Sequence, residues 1–107
     1  MANEKFYHVY INPKTGVDIR AIEMKMNLAL DWFKYDKKNW VVYSNTSMDN
    51  LMARYKPLVE PDGRLFICEL NILNRNGWMN NDFWDWLKKN RIVSRSDTQF
   101  LPGVSLL

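Results

Sequence analysis

The stretch Phe6-Tyr7-His8-Val9-Tyr10-Ile11, running into Asn12-Pro13-Lys14-Thr15-Gly16, decides the fold of this chain. Tyr7, Val9 and Ile11 alternate with Phe6, His8 and Tyr10, the period of two that sends successive side chains to opposite faces of a strand. One face suits a core, and the other carries large side chains with polar tips. Gly16, free to adopt positive φ, then allows a turn. A strand of this kind can organise a small sheet around itself, with the later elements packed on it. Alternation alone does not say which face is buried, because a slip of one residue exchanges the two.

Downstream, Asp18 is placed to cap a helix by accepting hydrogen bonds from its first free amides. Ile22, Met26, Ala29, Leu30 and Phe33 recur at helical spacing, which predicts an amphipathic helix over 18–30. Trp32-Phe33-Lys34-Tyr35 and Trp40-Val41-Val42-Tyr43 are aromatic and β-branched, and Asp36-Lys37-Lys38-Asn39 between them supplies a polar reversal, so the pair reads as a β-hairpin. Asn45-Thr46-Ser47 offers cap residues, with Asp49 three positions after Thr46 as a capping-box variant. The second helix they start carries Met48, Leu51, Met52 and Tyr55 and stops near Pro57. Glu60-Pro61-Asp62-Gly63 is a turn, and 64–71 alternates Leu65, Ile67 and Glu69 against Phe66, Cys68 and Leu70 as a fourth strand. After the loop Asn74-Arg75-Asn76-Gly77, Asn80 or Asn81 caps a short third helix with Phe83, Trp86 and Leu87 on one side. Trp84 lies beside that stripe and is expected to be partly exposed; Trp78 is expected to plug a core edge.

The resulting order, β-α-β-β-α-β, is the α+β, ferredoxin-like arrangement: an antiparallel sheet with both helices on one face, here followed by a C-terminal helix and a tail. Residues 1–90 form a single domain. Residues 91–107 are expected to be a tail or a strand swapped to a partner.

Composition narrows the function classes. Five tryptophans and 14% aromatic residues in 107 are rich for one small domain, which points to rings at an interface as well as in the core. The net charge is only +3 and no run of four Lys/Arg occurs, which fits a solvated surface better than a concentrated phosphate-binding patch. Cys68 is the single cysteine. It excludes an intrachain disulfide, fits a reducing compartment, and reads as a buried small hydrophobe among Leu65, Phe66, Ile67 and Leu70. Neither a signal-peptide run nor a stretch of about 18 apolar residues is found, so a cytoplasmic location and no membrane contact are expected.

Several short motifs carry a resemblance: Tyr10 through Gly16, Lys38-Asn39-Trp40-Val41-Val42, Arg54-Tyr55-Lys56-Pro57, Asp62-Gly63-Arg64-Leu65, and Gly77-Trp78 followed by Trp86-Leu87-Lys88-Lys89-Asn90. Over roughly residues 5–90 the chain resembles small bacterial and phage proteins of the SinR-like group. These are similar in turn to the CRISPR-associated ferredoxin-fold nucleases and the VapD ribonucleases. The resemblance implies a homodimer packed sheet on sheet, with C-terminal strands that cross to the partner. In the nuclease relatives an aspartate ends the first strand and binds a magnesium or manganese ion at the dimer seam. The matching position here is Ile11, or Asn12 with a shift of one, and neither is a carboxylate. Nuclease chemistry is therefore disfavoured, and Asn12 is the metal position only if that chemistry survives.

Other chemistry is sparse. His8, the only histidine, leaves no two-histidine zinc site. On the polar strand face it is expected to neighbour Glu69 as a hydrogen-bonded pair, a ligand site or part of a dimer seam. The four glycines are too scattered for a phosphate-cradling loop. Phe6, His8, Tyr10 and Trp40 would suit base stacking on an open sheet, although a second copy covering that sheet explains the same residues. Lys37, Lys38, Lys88, Lys89 and Arg91 would meet phosphates if one surface gathered them. No catalytic residue and no cofactor is assigned. The chain is expected to be a non-enzymatic homodimeric interaction or regulatory module of bacterial, phage or mobile-element origin, with His8, Tyr10, Glu69, Trp40 and Trp84 as ligand or interface candidates. A metal-dependent ribonuclease and a single-stranded nucleic-acid-binding protein are the alternatives.

Overall fold

A computed structural model describes residues 4–89 and 91; of the tail expected at 91–107, Arg91 is described and packs on the domain, and 92–107 lie outside the described residues. The elements are, in order, β1 (Lys5–Asn12), α1 (Ile19–Met26), β2 (Asp31–Asp36), β3 (Asn39–Ser44), α2 (Met48–Tyr55), a 3-10 turn (Lys56–Leu58), β4 (Arg64–Leu70) and α3 (Asn81–Lys88). The four strands form one sheet in the order β2-β3-β1-β4, every neighbouring pair antiparallel. The fold is therefore α+β with β1 central, hydrogen-bonded on both sides.

The alternation of β1 decides which layer meets which face. Tyr7, Val9 and Ile11 point to one side, where they join Trp40 and Val42 of β3, Ile22 and Met26 of α1, and Leu51 and Tyr55 of α2. Val9, Met26, Trp40, Val42, Leu51 and Tyr55 are each 0% exposed. Phe6, His8 and Tyr10 point to the opposite side, onto which α3 folds with Leu87, Phe83, Trp84 and Trp86. The face expected to receive a second copy is thus partly covered by the chain's own third helix.

Local signals explain the boundaries. Asp18 Oδ1 accepts the amides of Arg20 and Ala21 at 3.0 and 3.2 Å, as a cap should. The helix it starts ends at Met26, four residues before the expected Leu30. The amide of Leu30 already donates to the Tyr43 carbonyl of β3 at 3.0 Å, so sheet pairing captures the chain there. Asn27 closes the corner by accepting the Trp32 indole N–H at 2.9 Å. The second cap sits one residue later than the capping-box variant: Ser47 Oγ accepts the Asn50 amide at 3.1 Å, and the Thr46 hydroxyl oxygen takes the Asn50 side chain instead. Pro57 lies within the 3-10 turn that follows α2. Gly63 is required by proximity: a Cβ there would run into the Asn12 carbonyl and lie 2.9 Å from Lys14 N and Val59 O. The turn before β4 is thereby pressed onto the end of β1, and Asp62 fastens it through the Thr15 hydroxyl at 2.7 Å.

Two buried positions expected from sequence are exposed. Cys68 faces outward on the edge strand β4, on the sheet face opposite the α1/α2 core, so its apolar sequence neighbours do not bury it. Trp78 is 99% exposed. It stands on the irregular connection between β4 and α3 and plugs no core edge.

Candidate functional site

The second face of the sheet is where side chains with chemistry gather. Strand alternation puts His8 of β1, Val41 of β3, and Phe33 and Tyr35 of β2 on that side. His8 and Val41 are register partners, as are Phe33 and Val41, so His8 and Tyr35 come together across β3. His8 Nε2 lies 2.7 Å from the Tyr35 hydroxyl. Burial lowers the imidazole below its ordinary value, and burial followed by the charge of Asp36 raises the Tyr35 phenol. Both groups are therefore neutral near pH 7, and the phenol O–H can donate to Nε2 in the tautomer that carries its proton on Nδ1.

The helix α3 is held over this pair by ring contacts, Phe83 on Phe33 at 5.6 Å and on Tyr35 at 6.0 Å, Trp86 on Phe6 at 5.9 Å. Its C-terminal end is pinned by Arg91. That guanidinium stands 4.6, 4.9 and 5.2 Å from the rings of Trp86, Tyr43 and Phe6, donates to the carbonyls of Trp86 and Lys89, and pairs with Asp31 at 3.4 Å. Cation–π contact and charge pairing together hold an arginine side chain that is only 4% exposed. Between α3, the sheet and the connection from Asn71 to Asn80 lies a cleft of about 320 Å³. Its walls are Val41, Leu70, Phe83, Trp84 and Leu87, with His8 and Tyr35 at the sheet side and Asn71, Asn74, Arg75 and Asn76 along the connection. Leu73 and Trp78 of the same connection are 90% and 99% exposed.

The cleft unites only part of the residue set expected from sequence. His8 and Trp84 line it. Glu69 does not join His8, because the β1/β4 register sets His8 opposite Cys68 and Glu69 opposite Tyr7, on the other face; Glu69 pairs instead with Lys5 at 3.4 Å. Trp40 also belongs to the other face and is fully buried in the α1/α2 core, which removes it from any stacking surface. Tyr10 stays half-buried on the cleft side of the sheet, next to Phe66 in register. Tyr35 was the residue sequence reasoning missed. Its signal was present in the Phe33/Tyr35 alternation, but the register shift between Lys34 and Asp36 hides its position relative to β3.

The basic residues do not form one surface. Lys37 and Lys38 make the exposed tip between β2 and β3. Lys89 binds Asp31 at 3.1 Å, and Arg91 is committed to the rings and Asp31, both at the opposite end of β2, roughly 16 Å from the tip for a strand of this length. Lys88 is exposed near the end of α3. At the end of β1, Ile11 is buried in the core and Asn12 is the register partner of Arg64. The nearby Asp62 is held below the usual carboxylate range by hydrogen bonds from the Thr15 hydroxyl and amide. Among the described residues no group of three or more His, Cys, Asp or Glu comes together in a way that would hold a metal ion. None of the described helices is long and apolar enough to cross a membrane. No family model, curated protein or solved structure matches the chain.

Proposed function

We propose that the chain is a non-enzymatic, cytoplasmic, homodimeric interaction module of ferredoxin-like architecture, and that it recognises its partner at the cleft under α3. The strand order β2-β3-β1-β4, with α1 and α2 on one face, supports the ferredoxin-like reading and with it the resemblance to the SinR-like group. The observation that carries the function is the cleft itself: an apolar cavity walled in part by a connection that also carries the exposed Leu73 and Trp78. Monomeric domains seldom leave such side chains in water beside an open apolar hollow, and where they do the patch usually binds something. The polar groups nearby are engaged structurally, His8 with Tyr35 and Arg91 with the rings and Asp31. This arrangement favours recognition over a reaction.

The ribonuclease and nucleic-acid readings draw less support. The first-strand end offers Asn12 beside Arg64 where a carboxylate pair would be needed, and the dispersed lysines with a buried Trp40 do not build a stacking groove. One assay separates the three. Pure protein is incubated with labelled RNA and single-stranded DNA, with magnesium or manganese or with chelator, and both cleavage and gel shift are resolved. Neither is expected. Metal-dependent cleavage that disappears in Asn12→Ala would overturn the reading in favour of a nuclease. A shift that weakens steeply with salt and is lost in the Lys37→Ala/Lys38→Ala double variant would replace it with nucleic-acid binding.

A further inference from the structure

We infer that two copies of this chain associate by exchanging Trp78, the indole of each copy seated in the cleft of the other. The inference rests on the interaction-module reading and names its first partner as a second copy. Trp78 is 99% exposed and Leu73, on the same connection, 90% exposed. A tryptophan carries one of the largest apolar surfaces of any side chain, and tryptophans are enriched among the anchors that dominate protein interfaces. A hollow suited to it lies beside it. The cleft of about 320 Å³ falls at the small end of the roughly 300–1,000 Å³ range of ligand pockets and admits a bicyclic ring with room to spare, since a cavity of about 150 Å³ already holds a benzene. Its walls are rings and branched chains, Tyr35, Phe83 and Trp84 with Val41, Leu70 and Leu87, against which an indole can pack edge to face. An indole N–H is a donor only. The side-chain oxygens of Asn71 and Asn76, each accepting one amide of its own connection, keep a second lone pair for it.

The arrangement is also self-complementary. Gly77 lines the cleft and Trp78 follows it directly, so the wall of each hollow carries the knob that the other copy needs. In a two-fold contact every pairing is repeated by symmetry, and a knob next to its own hollow lets both exchanges form across one axis. Trp78 is not among the residues that line its own cleft and is 99% exposed, so its own ring does not fill that cleft. Phe66, 59% exposed on the same sheet face, extends the apolar surface towards β4. Arg75 on the connection and Asp82 and Asp85 on α3 are exposed and give this side charges of both signs, compatible with pairing to itself.

Sedimentation velocity of the full chain over a wide concentration range, with Trp78→Ala beside the unaltered protein, tests the exchange. The unaltered chain is expected to dimerise, and Trp78→Ala to weaken the dimer at least about thirtyfold, the loss typical of a central tryptophan anchor. A second measurement needs no folded variant: the chain is labelled with 5-fluorotryptophan, and the solvent isotope shift of the Trp78 fluorine resonance is followed with concentration. Burial of that resonance as dimer accumulates is expected. A chain that stays monomeric, a dimer that ignores Trp78→Ala, or a dimer in which the Trp78 resonance remains fully solvent-exposed overturns the inference. A Trp78 resonance buried at every concentration in a monomer also overturns it, because the ring then fills its own cleft. A dimer that ignores Trp78→Ala and neither cuts nor shifts nucleic acid sinks the exchange and leaves the homodimeric module reading in place, a monomer sinks both, and cleavage sinks the module reading whatever the state of assembly.

Discussion

On the α1/α2 side of the sheet six large residues, Val9, Met26, Trp40, Val42, Leu51 and Tyr55, are fully buried, whereas on the α3 side, among the described residues, only Phe6, Val41 and Leu87 are buried and none of the three is fully enclosed. The first side is close-packed aliphatic and aromatic matter gathered from five elements. The second is a single eight-residue helix held by rings around a guanidinium, with a hollow left beside it. The difference assigns different work to each side. Burial without gaps supplies the bulk of folding free energy, and a layer with fewer buried contacts opens locally before the whole domain does. The face that stabilises least is thus the one with freedom to open.

The largest effect should come from Trp40→Ala on the closed side. Removing a fully buried tryptophan costs about 3–5 kcal/mol, a large fraction of the roughly 5–15 kcal/mol that keeps a domain folded. Urea unfolding should show a midpoint far below that of the unaltered chain, or no folded baseline. Trp40→Phe sharpens the point. The indole Nε1 is buried with no hydrogen-bond partner among the described residues, so replacing it with a ring that has no polar atom offsets part of the lost packing. A Trp40→Phe variant as unstable as Trp40→Ala would mean that the indole is not sealed in a dry core.

On the open side the corresponding lever is Arg91. Arg91→Ala uncovers Phe6, Tyr43 and Trp86, takes the guanidinium donor from the Lys89 carbonyl and leaves the Trp86 carbonyl with only the Lys89 amide, at an expected cost of about 2–3 kcal/mol. Amides of α3 should lose hydrogen-exchange protection while those of β1 and β3 keep it. Arg91→Lys should rescue little, because a planar guanidinium stacks on rings and donates in two directions where an ammonium does neither. Uniform loss of protection across the sheet would erase the distinction between the two sides.

The closed side was the more legible in sequence, for a physical reason. Its signals are local: the alternation of β1, the Asp18 cap, the hairpin around Lys37-Lys38 and the stop near Pro57 each depend on a few adjacent residues. The open side depends on contacts between residues far apart. Arg91 reads as a solvated charge until the rings of Phe6, Tyr43 and Trp86 are brought around it. His8 finds Tyr35 and misses Glu69 because the register between strands, which no single strand encodes, sets Cys68 opposite His8. Trp40 carries the same aromatic signature as Phe6 and Tyr10, yet its place in β3 turns it to the other face. The exposure of Cys68 goes with its place on the edge strand β4 and that of Trp78 with its place on the irregular connection after it, which a pattern of apolar neighbours does not reveal.

The smallest expected effect concerns pH and again separates the sides, since the closed face holds no histidine. Burial lowers the folded-state pKa of His8 below the unfolded value of 6.5. In the interval between the two values the unfolded chain binds more protons, so folding stability is full above pH 6.5 and is lost as pH falls through the folded-state value. The hydrogen bond changes with it. A neutral imidazole accepts the Tyr35 proton at Nε2, whereas the cation carries a proton there and obliges the phenol oxygen to accept instead. Denaturation midpoints at mildly alkaline and mildly acidic pH should therefore diverge more for the unaltered chain than for His8→Gln, which cannot titrate, and by less than the Arg91→Ala loss. Equal divergence in both proteins would show that carboxylates elsewhere set the acid sensitivity. A divergence confined to the unaltered chain, with α3 amides losing protection first at low pH, would place the titrating group under that helix and tie the opening of the cleft to the proton on His8.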